Sequence, residues 1–117
     1  MPRGQKLFGN LCEHFNLYPD IIYKDADRSC YDYTNRVIEL GTKDDRGWKW
    51  VLVHEFTHCL DYAKRRREWS YHHHDYEFYR QLLNVVQFAY TNPKQYPWHY
   101  EYECIRKYAI ADGTYKS

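Results

Sequence analysis

No two cysteines of this chain fall in Cys-x-x-Cys spacing. Cys12, Cys30, Cys59 and Cys104 stand singly, which excludes a cysteine-paired zinc ribbon or a thioredoxin-like redox motif and makes reduced thiols the expectation. An excess of charge of one sign is missing too. With 17 basic and 16 acidic side chains the formal net charge is +1, so the whole-molecule field favours neither nucleic acid nor a membrane surface, and any such attraction must come from a local cluster. Nowhere are there about 18 consecutive apolar residues to span a bilayer. The basic amino terminus, Met1-Pro2-Arg3-Gly4-Gln5-Lys6, is not followed by the apolar run of a signal peptide. The expectation is therefore an intracellular protein, cytoplasmic or located in a nucleus or nucleoid. Internal repeats, low-complexity runs and interdomain linkers are also lacking. A chain of 117 residues has material for one core and not for two, so a single domain over residues 1–117 is predicted.

What is present is apolar and aromatic. Hydrophobic residues make up 44% of the chain and 14 residues are tyrosine, enough for a packed interior whose edges carry hydroxyls to water. Leu7, Phe8, Leu11, Cys12 and Phe15 recur at helical spacing and predict a first helix over Lys6 to Phe15. Three short β-rich runs follow, Ile21-Ile22-Tyr23, Cys30-Tyr31-Asp32-Tyr33 and Arg36-Val37-Ile38-Glu39-Leu40, separated by Asp-, Asn- and Ser-containing turn candidates. Gly41 closes the last strand, and Asp44 and Asp45 are cap candidates for a helix beginning near Gly47. That helix is expected to run from about Trp48 to about Arg66. On its wheel Leu52, Val53, Phe56, Cys59, Leu60 and Ala63 share one arc, the face expected to meet the core. A further helix is predicted from His74 or Asp75, with Phe78, Leu82, Val85, Val86 and Ala89 as its stripe. Asn92-Pro93 breaks the chain, and a last helix is expected from about Trp98 to Ala111.

The second of these helices carries His54-Glu55-Phe56-Thr57-His58. Histidines four apart on a helix project from the same side about one turn from each other, so both imidazoles can bind one cation, and Zn2+ suits that donor set. Glu55 sits where its carboxylate can take a proton from an attacking water and later return it to the leaving amine. Chance placement of seven histidines and seven glutamates in 117 positions yields this pattern roughly 2% of the time. On the wheel the polar triplet lies off the apolar arc, and it is expected to face a cleft rather than the middle of the core.

A catalytic zinc needs a third protein donor. His72, His73 and His74 follow some fifteen residues later, and His74 is favoured because it opens the next helical pattern; Glu77 is the second choice. Asp61 lies beside His54 on the wheel and is either a second-shell acceptor for a ligand imidazole's free N–H or an i, i+4 partner of Arg65. Lys64-Arg65-Arg66-Arg67 with Trp69 forms a compact basic and aromatic cluster. It is either a nucleic-acid contact or a solvated helix end with cations well placed at its carboxyl terminus. An oxyanion would be stabilised by Tyr71, Tyr76 or an arginine, between which spacing does not choose.

With these residues in view, the chain resembles the SprT-like branch of zincin metallopeptidases, in which His-Glu-x-x-His on one helix is paired with His-Gly-x-x-Phe at the start of the next. The corresponding segments here are His54-Glu55-Phe56-Thr57-His58 and His74-Asp75-Tyr76-Glu77-Phe78. Asp75 stands where that branch has Gly, which is also similar to the His-Asp pattern of WLM-type peptidases. The likeness covers roughly Asp20 to Ala89, and its specific signal rests on about ten positions. It implies a minimal zincin-like α+β domain, a short three-stranded sheet packed with three to four helices, with His54, His58 and His74 as zinc ligands and Glu55 as general base. By analogy with zincins, the Val37 to Leu40 strand is expected at a sheet edge, open to an extended substrate. The implied function is a zinc-dependent endopeptidase acting on a protein or peptide, with DNA-bound proteins as candidate substrates. Acting as a monomer, it would contact DNA through the basic cluster and would have no membrane partner. The alternative is a non-proteolytic DNA- or protein-binding module that retains the zincin core.

Overall fold

The spacing of apolar residues sets the first helix in place. In the computed structural model, which describes residues 4–65, 76–90, 95–96 and 99–107, α1 spans Gln5–Phe15 and buries Leu11 and Cys12. It ends at Asn16, whose left-handed backbone lets Leu17 N–H return to the Cys12 carbonyl at 3.0 Å, a local closure that short polar side chains tolerate. Three strands follow, β1 (Asp20–Lys24), β2 (Cys30–Asp32) and β3 (Val37–Gly41), and then α2 (Trp48–Arg65), α3 (Tyr76–Ala89) and α4 (His99–Ile105). Among the described residues the result is an α+β domain with a small mixed sheet and four helices, each element at or near its predicted position. The predicted starts of α3 at His74 or Asp75 and of α4 at Trp98, and the predicted end of α4 at Ala111, lie outside the described residues. No described helix is long and apolar enough to cross a membrane.

The strand order is β1-β3-β2, with β1 parallel and β2 antiparallel to β3. This corrects the expectation that the Val37 to Leu40 strand is an edge: β3 is central, and the edges are β1 and β2. The turn between β2 and β3 explains the arrangement. Asp32 accepts hydrogen bonds from the Thr34 and Asn35 backbone amides, both at 3.1 Å, and this tight return lays β2 directly on β3. Ile38 and Leu40 then point inward together with Tyr31, all three buried, while Glu39 on the outer face pairs with Lys24.

The inner face of the sheet packs on α2, whose other side is covered by α3. Every residue from Trp50 to Asp61 is consequently buried. The wheel expectation of one apolar arc with a polar triplet facing a cleft is therefore corrected, because α2 is clad on both sides. Ala63, assigned to the apolar arc, is exposed near the end of the helix.

The loop into α2 is built on one carboxylate. Asp44, with its side chain only 3% exposed, accepts from Arg46 Nε at 2.9 Å, Arg46 Nη2 at 2.6 Å, the Arg46 amide at 3.2 Å and Ser29 Oγ at 3.0 Å. It thus organises the loop instead of capping the helix, and Asp45 makes no hydrogen bond among the described residues. Ser29 Oγ in turn accepts from the Gly41 amide at 2.9 Å. Gly41 has to be glycine here: a Cβ would lie 2.4 Å from the Ala26 carbonyl oxygen and 2.5 Å from that of Arg28. The Arg46 guanidinium lies 4.7 Å above the Trp50 ring, which ties this loop to the first buried turn of α2.

The hydrogen bonds from Arg46 hold the Asp44 carboxyl down at about 2 against an ordinary 3.8. Because the folded-state value is depressed, its stabilisation is present above about pH 4 and disappears as the pH falls toward 2. Urea denaturation between pH 7 and pH 2 is expected to show wild type losing roughly 2 kcal/mol more than Asp44→Asn. Equal losses would contradict this account of the loop.

Candidate metal centre

His54 and His58 occupy successive turns of α2, and their Nε2 atoms face each other at 3.2 Å. Each ring is held from behind. His54 stacks on Trp50, with centroids 5.0 Å apart and planes at 24°, and Phe78 from α3 packs against both imidazoles, at 5.5 Å from His54 and 4.5 Å from His58. The far nitrogen of His54, Nδ1, lies 3.0 Å from Glu101 Oε2 and 3.2 Å from Oε1. Glu101 belongs to α4 and is 1% exposed, and its Oε1 also accepts a hydrogen bond from the Tyr96 hydroxyl.

This arrangement decides the tautomer. An ionised carboxylate only accepts, so the proton of a neutral His54 sits on Nδ1 and the lone pair of Nε2 is directed at His58. Burial pulls the His54 pKa down, but the hydrogen bond and charge of Glu101, together with Glu55, outweigh it and leave the ring more basic than usual. A basic imidazole of fixed orientation is a good metal donor. Tetrahedral coordination with Zn–N near 2.0–2.1 Å places two ligand nitrogens about 3.3 Å apart. The observed 3.2 Å is close to that separation, and equally to a hydrogen bond from His58 Nε2–H to His54 Nε2.

Glu55, between the two histidines in sequence, is 5% exposed. Its carboxylate makes no hydrogen bond or ion pair among the described residues. Burial raises its pKa to about 7, with Glu101 and Asp44 adding to the rise and His54 and Arg46 opposing it. An unpartnered carboxyl at that value can both take and give a proton near neutrality.

The third predicted ligand, His74, and its neighbours His72 and His73 lie outside the described residues. Among the described residues no group of three or more His, Cys, Asp or Glu is placed to hold a metal ion. Glu77, the second choice, is 41% exposed and pairs with Arg80 at 3.4 Å. Asp61 is fully buried and has a partner of its own, while the carboxylate at His54 Nδ1 is Glu101. Glu101 was missed because nothing local marks it. The available signal was a glutamate four residues before the fully buried Ile105, a charge placed on the apolar stripe of the last helix.

The basic cluster is only partly placed. Lys64 is exposed near the end of α2, Arg65 is its last residue, and Arg66, Arg67 and Trp69 lie outside the described residues. The same holds for Tyr71 and for the side chain of Tyr76. Two cavities adjoin α2 elsewhere. One of about 180 Å³ is lined by Tyr31, Arg36 and Tyr62, and one of about 540 Å³ by Tyr23, Leu40, Trp48 and Val51. Neither has His54, Glu55 or His58 in its wall.

Phe78 is fully buried between α2 and α3 and supports both imidazoles. Phe78→Ala is expected to destabilise the metal-free protein by about 3–5 kcal/mol, read by urea denaturation in the presence of a chelator; a loss below about 1 kcal/mol would contradict this packing. No protein-family model, curated protein or solved structure matches the chain, so the site stands on its own geometry.

Proposed function

We propose that the chain is a zinc-dependent endopeptidase of SprT-like type, built on a minimal zincin-like core. The observation that carries this reading is the meeting of His54 Nε2 and His58 Nε2 at 3.2 Å, with Glu55 buried between them in sequence and without a hydrogen-bond or ion-pair partner among the described residues. His54 and His58 would hold the metal together with one further donor, for which His74 is the candidate from the sequence. Zn2+, when bound, supplies Lewis acidity that acidifies water and polarises a peptide carbonyl. Glu55 accepts the proton of the attacking water and delivers it to the departing amine. The aromatic packing of Trp50 and Phe78 excludes bulk water and keeps the two imidazoles in one orientation.

Of the two sheet edges, β2 is the one that packs against α2. An extended peptide added to β2 through main-chain hydrogen bonds would run beside α2 with little demand on its sequence. Loosely folded and DNA-bound proteins are the substrates this mode suits, and DNA contact falls to Lys64, Arg65, Arg66, Arg67 and Trp69.

A second reading is favoured by one observation, the closure of the site. His54, Glu55 and His58 are 5%, 5% and 9% exposed, and closed sites are characteristic of structural metal. In that case the chain is a DNA- or protein-binding module that keeps the core without proteolysis.

Tag-free wild type and Glu55→Gln, incubated with an unfolded protein substrate with and without single-stranded DNA, separate the readings. Glu55→Gln is expected to keep its zinc and its melting temperature and to lose at least about 100-fold in cleavage rate. Equal cleavage by both removes Glu55 as the base. Zinc bound by both with no cleavage by either counts against the enzyme and favours the binding module. Where DNA stimulates cleavage, changing Arg65, Arg66 and Arg67 together is expected to abolish the stimulation.

A further inference from the structure

A carboxylate with 1% exposure is costly to bury unless its oxygens are met by donors. Glu101 is met by two: His54 Nδ1, within 3.2 Å of both oxygens, and the Tyr96 hydroxyl at Oε1. Tyr96 is itself 4% exposed, and burial followed by the charge of Glu101 raises its pKa far enough to keep the hydroxyl protonated, hence a donor. These side chains belong to a part of the chain more than forty residues from His54, Tyr96 ahead of α4 and Glu101 on α4, a short helix that otherwise packs on α3. The line from Tyr96 through Glu101 to His54 therefore joins the carboxyl-terminal helix to the ring whose other nitrogen faces His58.

We infer that Tyr96 and Glu101 are positioning residues for His54, setting its tautomer and donor strength toward a divalent metal ion and thereby coupling metal occupancy to the docking of α4. This rests on the metal-centre reading above and extends it to residues that reading does not use. The chemistry is directional. The Glu101 oxygens draw the Nδ1 proton, which enriches the Nε2 lone pair, and a cation at Nε2 polarises Nδ1–H and strengthens the contact to Glu101 in return. Tyr96 fixes which way the Glu101 carboxylate faces. A carboxylate placed only to pin α4 to the core would serve equally well with any buried donor on α2; here it meets the metal-facing histidine.

The test is zinc affinity, measured by competition with a chromophoric chelator on tag-free wild type, Glu101→Gln and Tyr96→Phe. Glu101→Gln preserves size and removes charge, and is expected to weaken zinc binding 10- to 100-fold. Tyr96→Phe removes one hydrogen bond from the carboxylate and is expected to weaken it by roughly three- to tenfold, carrying the test alone should Glu101→Gln fail to fold. Hydrogen exchange gives a second readout: withdrawing zinc from wild type is expected to speed exchange of the α4 amides. Unchanged affinity in both variants, with only a lower melting temperature, overturns the positioning role and leaves the metal centre standing. A wild type that binds no zinc overturns the metal centre itself, and this inference with it.

Discussion

Two imidazole nitrogens held 3.2 Å apart beneath the surface are the constraint on which the rest of this structure depends. Neutral rings satisfy such an approach only if one donates to the other, while a shared cation satisfies it for both. The side chains around the pair narrow the choice. Glu101 occupies the proton-bearing side of His54, Trp50 and Phe78 restrict the rings, and Glu55 is buried without a partner among the described residues. The burial of Glu55 in particular works against stability in a domain that has no use for a metal, since a buried carboxylate loses hydration that its surroundings only partly replace.

The fold places this cluster by wrapping one helix. α2 is covered by β2 and β3 on one side and by α3 on the other, with α4 reaching it through Glu101. Its entry is set by the Asp44–Arg46 loop, and Arg46 lies over Trp50, which stacks on His54. The ring that matters most thus receives support from the loop before α2 and from the last described helix, so the site is assembled by tertiary structure from elements far apart in the chain. The only part contributed locally is the i, i+4 spacing of the histidines.

That division explains what could be read in advance. Apolar spacing is a local property, and it located α1, the three strands and α2 to within a residue or two, together with the His54-Glu55-x-x-His58 segment. The strand order was not legible, because Val37 to Leu40 carries the same alternation at an edge as at the centre, and the Asp32 turn decides between them. Nor was the burial of the triplet: a wheel describes one helix in isolation, and the cover over His54 and His58 comes from Phe78 and Glu101 on other helices. The positions of His74 and of Arg66 to Trp69 lie outside the described residues, so the third donor and the nucleic-acid contact stand as sequence readings.

The most direct measurement of the central claim is zinc K-edge X-ray absorption on the tag-free, zinc-loaded protein. The account predicts nitrogen scatterers at about 2.0–2.1 Å with the outer-shell pattern of at least two imidazoles, altered in a His58→Ala variant. A spectrum dominated by sulfur at about 2.3 Å, or one unchanged by loss of His58, would contradict it.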